Sequence, residues 1–261
     1  MSIELYSSSA GSGPNVLLLH GLFGMGSNLG ALARALEDSF CVHSLDLPNH
    51  GRSEWIEQMS LEHLASAVQG WAERKGMTAL SLVGHSLGGK VAMRMALDNP
   101  ALVTSLVVAD IAPVAYPPRH AAVFSALAAV AEAGPRSRRE AQDYMAQYIE
   151  EPGVRQFLSL SLQRDQQGLY RWRFNREGLE RDYGAVRDTL VSMEAYTGPT
   201  LFVKGELSDY IKPQYKEAIE ALFPRAQLKV IPNTGHWLHA EQPRLFNAVV
   251  KRFLTESSAE S

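Results

Sequence analysis

The sequence predicts a mostly parallel β-sheet covered by helices on both faces and interrupted by a helical insertion. Three observations predict it. Apolar runs of strand length at 16–20, 40–45, 80–83 and 102–109 alternate with segments whose apolar residues recur at helical spacing. These runs are largely continuous rather than alternating with polar residues, as in parallel strands buried on both faces. The alternation lapses after Asp110, the chain is helix-rich and more polar from Pro113 to about Thr197, and strands resume at Pro199. The expected organisation is therefore a core of residues 1–112 and 198–261 with an inserted helical cap at 113–197.

In order, residues 3–6 read as an edge strand and 7–13 as a flexible-looking stretch. The run at 16–20 ends in a glycine-rich loop, His20-Gly-Leu-Phe-Gly-Met-Gly26. Asn28 is a candidate cap for a helix carrying Leu29, Leu32 and Leu36 on one face. The strand at 40–45 starts with Cys41, read as a small buried apolar side chain, and delivers Asp46-Leu-Pro-Asn-His-Gly-Arg-Ser53 at its carboxyl end. Ser60 is a candidate N-cap for a helix with Leu61, Leu64, Val68 and Trp71 on its buried face. A helix at 90–99 stops before Pro100, whose ring disfavours a helical residue ahead of it. Within the insertion, Val123, Leu127, Val130 and Ala141, Tyr144, Tyr148 form helical stripes, and only Leu169-Tyr-Arg-Trp-Arg-Phe174 reads as extended. Afterwards come a strand at 199–204, a helix with Tyr215, Ile219 and Leu222, a strand at 227–231 and a loop from Pro232 to His239. A final helix around Leu245, Val249 and Phe253 leads to a polar tail from Glu256.

The 261 residues are 46% hydrophobic and 20% charged, with a formal net charge of −3. That balance gives no electrostatic footprint for nucleic acid and no polybasic membrane patch. A single cysteine excludes an internal disulfide. Residues 1–15 lack the basic and apolar regions of a secretory signal, and no apolar run reaches the length of a membrane span. The expectation is a cytoplasmic protein acting on a small molecule.

The chemistry concentrates at Gly84-His-Ser-Leu-Gly88, between the apolar run 80–83 and the helix that follows. Strand, sharp turn and helix are the context a G-x-S-x-G nucleophile turn requires. Ser86 is the candidate nucleophile, placed at the start of a helix where backbone N–H groups are unsatisfied. A serine hydroxyl needs an adjacent base that is itself oriented by a third group. His236, in the loop after the last strand, opens at the same carboxyl edge of the sheet and is the candidate base. His239 lies three residues on, but no third metal ligand stands nearby in the sequence. One oxyanion donor is expected from the backbone of Leu87 and the other from the loop after the early strand, assigned to Leu22.

The acid has two candidates. Asp110 and Asp209 both stand at carboxyl ends of predicted strands. Six residues of the insertion, Tyr144, Met145, Phe157, Leu160, Tyr170 and Trp172, suit either an acyl pocket or plain packing. Arg119, His120, Arg171 and Arg173 suit either an anionic leaving group or a solvated surface.

Over essentially its whole length the chain resembles the α/β-hydrolase superfamily, through His20-Gly21, Asp46 with Gly51-Arg-Ser53, Gly84-His-Ser-Leu-Gly88 and Gly235-His236. Within it, the chain is similar to the YbfF-type bacterial esterases and their mitochondrial abhydrolase relatives. The fragments carrying this are His20-Gly-Leu-Phe-Gly24, Asn49-His-Gly51, Asp110-Ile-Ala-Pro113, Trp172-Arg-Phe-Asn175 and Gly235-His-Trp-Leu-His-Ala-Glu241. The resemblance implies the α/β-hydrolase fold and hydrolysis of carboxylic esters or acyl thioesters without metal or organic cofactor. It also favours Asp110 over Asp209, because the Asp-Ile-Ala-Pro fragment matches and an orienting carboxylate must be buried against the imidazole. The alternatives left open are a carbon–carbon bond hydrolase or acyltransferase of the same fold, and a non-catalytic ligand receptor.

Overall fold

A computed structural model describes residues 3–259. Its centre is a seven-stranded sheet in the order β1-β3-β2-β4-β5-β8-β9. The strands are β1 (Ser7–Ala10), β2 (Asn15–Leu19), β3 (Cys41–Leu45), β4 (Leu80–His85), β5 (Val103–Ala109), β8 (Thr200–Gly205) and β9 (Ala226–Ile231). Every adjacent pair is parallel except β1 with β3. Helices α1 (Gly30–Leu36), α2 (Leu61–Arg74) and α3 (Leu87–Asp98) connect the early strands, α9 (Lys216–Leu222) connects β8 to β9, and α10 (Leu238–Glu241) and α11 (Pro243–Ala259) follow the last strand.

Side-chain alternation along the strands feeds two apolar layers. Leu17, Leu19, Leu82, Leu106 and Val108 face a layer with Val68 and Trp71 of α2 and Val91 and Met95 of α3. Their neighbours Val16, Leu18, Val83 and Val107 face the other layer, with Leu32 and Leu36 of α1 and Phe246, Val250 and Phe253 of α11. The mostly parallel sheet with helices on both faces is therefore as expected. Continuous apolar strands are what such a sheet demands, since both faces of β2, β4 and β5 are covered.

Between β5 and β8 lie α4 (Ala121–Ala133), α5 (Arg138–Met145), α6 (Pro152–Leu160), the hairpin β6 (Leu162–Arg164) with β7 (Tyr170–Trp172), α7 (Arg176–Arg181) and α8 (Tyr183–Val186). Ser161 Oγ donates to Phe23 O at 2.7 Å, and Asn175 N–H donates to Asn49 O at 2.9 Å, seating this segment on the loops that follow β2 and β3.

Local details differ from expectation at both ends of the chain's first quarter. The edge strand is Ser7–Ala10, not residues 3–6. Tyr6 N–H donates to Ser53 Oγ at 2.9 Å and Glu4 N–H to a Glu54 carboxylate oxygen at 2.8 Å. Side chains of the 46–54 loop thus take the donors that strand pairing would have used. Asn28 does not cap α1; it lies within a 3-10 turn at Gly26–Leu29, where its side chain accepts from Met25 N–H at 2.6 Å. Cys41 is half-buried, with Sγ 3.4 Å from His43 Nε2, rather than packed in the core. Ser60 caps α2 as expected, accepting from His63 N–H at 3.2 Å.

Candidate active site

The turn between β4 and α3 forces its own residue types. A Cβ on Gly84 would lie 2.2 Å from Gly88 O, and one on Gly88 would lie 2.2 Å from Leu19 O, so neither position admits a side chain. Between them Ser86 is held at φ 53°, a region that costs a non-glycine residue energy and that surrounding structure must enforce. Leu87, the first residue of α3, carries an N–H without an intrahelical acceptor. Ser86, Leu87, Leu22 and His236 line one cavity of about 640 Å³.

The loop after β2 presents Leu22 to this cavity. Its neighbour Phe23 sits at φ 64°, and the Phe23 N–H is already used, donating to His50 Nε2 at 3.2 Å. Gly21 and Leu22, the other residues of this loop at the cavity, precede that engaged donor. The loop stands on two neutral imidazoles. His20 Nε2 accepts from Leu47 N–H at 3.0 Å, so Nδ1 carries the proton and donates to Gly21 O at 2.7 Å. His50 uses Nε2 for Phe23 N–H, leaving Nδ1 to donate to Pro48 O at 2.9 Å. Burial lowers their pKa values to about 4 and about 3.

Asp110 directly follows β5 and is 0% exposed, with φ at 52°. Its Oδ2 accepts from His236 Nδ1 at 2.8 Å and from Ser208 Oγ, while Oδ1 accepts from Gly205 N–H at 3.0 Å. Gly205 makes this junction possible, because a Cβ there would meet Gly235 O at 2.1 Å. With Nδ1 engaged, Nε2 is the free nitrogen of the ring. Tyr210 stacks on His236 at 4.0 Å between ring centres, and His85 Nε2–H donates to the His236 carbonyl at 2.8 Å. His85 is kept neutral chiefly by burial, with the nearby His239 and His236 rings acting in the same direction.

Asp209 is placed elsewhere. Its carboxylate is 55% exposed and pairs with Arg119 at 2.7 Å and Lys212 at 3.6 Å, and Arg119 lowers its pKa. His239 is buried against His85 and Phe246.

Of the six aromatic and apolar candidates in the insertion, Phe157 lines the cavity, together with Val123, Ile149, Val154 and Leu158, which periodicity alone had not singled out for it. The Phe157 ring lies 5.9 Å from that of Trp237, in the loop that carries His236. Trp172 instead donates Nε1–H to Leu127 O at 3.0 Å and stacks on Phe174. Met145 is buried in the core and Leu160 is exposed, while Tyr170 packs beneath Arg138. Arg119 and His120 line the cavity, whereas Arg171 pairs with Asp165 and Arg173 with Gln163. Residues the sequence reading passed over are Lys90, Tyr116, Ser208 and Tyr210. The one signal was Lys90 itself, a charged residue directly after the glycines of the turn and ahead of the apolar residues of α3.

A sharp strand-to-helix turn at the carboxyl edge of a doubly covered parallel sheet, with a buried carboxylate–imidazole pair beside it, defines a hydrolase of the α/β type. The chain belongs to the alpha/beta hydrolase fold family, whose model matches residues 14–243. It is 38% identical over 249 residues to the sn-1-specific diacylglycerol lipase ABHD11 of Mus musculus, covering 92% of this chain and 81% of that one. It is 34% identical over 242 residues to the esterase YbfF of Escherichia coli, covering 92% and 93%. A solved structure described as a marine microorganism esterase superposes with a TM-score of 0.92 at 35% identity, covering 97% of this chain and all of that one. The resemblance read from the sequence fragments is borne out, and the chain is an ester hydrolase. Among the described residues no helix is long and apolar enough to cross a membrane.

Proposed function

We propose that the protein cleaves small to medium acyl esters or acyl thioesters through Ser86, His236 and Asp110. The observation that carries the reading is the 2.8 Å contact of His236 Nδ1 with the fully buried Asp110 carboxylate, on the wall that also carries Ser86. His236 Nε2 takes the Ser86 proton as Oγ attacks the acyl carbonyl, and the Leu22 and Leu87 N–H groups hold the oxyanion. The bond to the alkoxide or thiolate breaks, that group leaves with the proton from His236, and an acyl-serine remains. Water, deprotonated by the same nitrogen, attacks the acyl-serine; the acyl–Oγ bond breaks, His236 returns the proton to Ser86 Oγ, and the carboxylic acid leaves. No step calls on a metal or an organic cofactor.

Residues 113–197 act in this reading as a cap that bounds the acyl-binding cavity and sets chain preference. The names of the relatives support acyl esters as the substrate class: one is called a diacylglycerol lipase, another an esterase. The substrate is a small molecule met in the cytoplasm. Ser86→Ala should abolish turnover of a short chromogenic acyl ester while the folded state persists by circular dichroism. Unchanged turnover in that variant would end the proposal.

A further inference from the structure

Lys90 takes no part in the chemistry above, yet it lies one helical turn beyond Ser86 on α3 and is 1% exposed. Its ammonium donates to three main-chain carbonyls: Val114 at 2.8 Å, Arg187 at 3.1 Å, and Asp188. Val114 belongs to the chain just after β5, the leading root of the segment that covers the cavity. Arg187 and Asp188 follow α8 and form its trailing root. The two roots are laced together. Tyr116 N–H donates to Arg187 O at 3.0 Å, Leu190 N–H and Thr189 Oγ1 each donate to Pro113 O at 3.1 Å, and the Arg187 guanidinium returns to Tyr116 O. The leading root also reaches the base: Tyr116 Oη donates to Tyr210 O at 2.5 Å, and Tyr210 stacks on His236.

A buried ammonium is costly unless its donors are matched. Burial lowers the Lys90 pKa to about 7, with Asp188 opposing and Arg187 reinforcing the shift. Its three donors find three acceptors only because both roots converge on it. The helix that begins at the nucleophile is thereby bonded to both ends of the segment carrying Val123, Val154 and Phe157 into the cavity.

We infer that Lys90 is a positioning residue: its ammonium pins both roots of the 113–197 segment to the nucleophile helix and holds the acyl-binding wall in register with Ser86. This deepens the proposed function and rests on it for the kinetic readout alone. Lys90→Met keeps an unbranched stem without donors, and Lys90→Arg keeps a cation with donors. In a Ser86→Ala background, hydrogen exchange should accelerate in Lys90→Met at 113–116 and 187–190 together, while β4 and β5 stay protected, and Lys90→Arg should restore part of the protection. In the active enzyme, Lys90→Met should lower the octanoyl-to-acetyl ratio of kcat/KM by about ten-fold or more, chiefly through KM, since a displaced wall costs binding before chemistry. Should Lys90→Met not fold, Lys90→Gln, with two amide donors on a shorter stem, is read against the same outcomes. Exchange unchanged in either root, exchange rising equally in β4 and β5, or an unaltered chain-length ratio would each overturn the inference. Turnover persisting in Ser86→Ala would overturn the serine mechanism and leave the exchange result standing.

Discussion

Asp110 and Asp209 separate at the level of single hydrogen bonds. Asp110 sits at φ 52° with both carboxylate oxygens occupied by Gly205, Ser208 and His236. Asp209 faces solvent and two cations. An orienting carboxylate sets the imidazole tautomer, and losing it costs about 10⁴ in kcat in enzymes of this chemistry. Asp110→Asn should therefore lower kcat by roughly 10³–10⁴ while Asp209→Asn stays within a few-fold, measured on the same short ester. A large loss in Asp209→Asn alone would refute the assignment. Sequence spacing offered both aspartates, because each ends a strand. The choice between them depends on which loop folds back to His236, and that is a long-range contact.

At the scale of elements, the covering segment shows how helical periodicity marks packing faces without saying what they pack against. Phe157 and Trp172 lie on α6 and β7, and from the sequence both suit either an acyl pocket or plain packing. One lines the cavity, and the other stacks on Phe174 and bonds to Leu127 of α4. Phe157→Ala should reduce kcat/KM for octanoyl relative to acetyl esters by about ten-fold, in line with the 1–3 kcal/mol that a methylene or two is worth in an apolar pocket. Trp172→Ala should instead cost roughly 2–3 kcal/mol of stability by urea unfolding and leave the chain-length profile in place. A shifted profile in Trp172→Ala would place the pocket wrongly. The hairpin pairing β6 with β7 was only half legible, since β6 is three residues long and takes its register from its partner.

For the molecule as a whole, acid is the exposed flank. His20, His50, His85, His120 and His239 are all pushed below the ordinary histidine pKa, chiefly by burial. The unfolded chain binds protons at these positions near pH 6.5, the folded one only near pH 4 or below for His20 and His50. The unfolded state therefore holds more protons across that window. The stability these residues contribute is complete above about pH 6.5 and is lost progressively as pH falls toward 4. His20 alone accounts for on the order of 3 kcal/mol over the window. The urea midpoint should fall steeply between pH 7 and pH 4.5, and His50→Asn should flatten that fall. Equal slopes in the two proteins would show that His50 is not buried neutral.

Much about this protein is determined by local order along the chain. Continuous apolar strands at β2, β4 and β5 can be satisfied only by a sheet covered on both faces, and glycine, serine and glycine at 84, 86 and 88 suit one sharp turn. Ser86 and His236 were legible for that reason, each standing at the carboxyl end of a recognisable strand. Tertiary structure alone decided the pairings of Phe23 N–H with His50 and of Lys90 with both roots of the covering segment, and it supplied the bond of Asp110 with His236 where spacing left two acids open and only resemblance favoured Asp110. These bonds join residues about 24 to 126 positions apart and depend on how the loops close over the sheet edge. Periodicity and propensity report a residue's own strand or helix, and carry no information about the loop that will meet it.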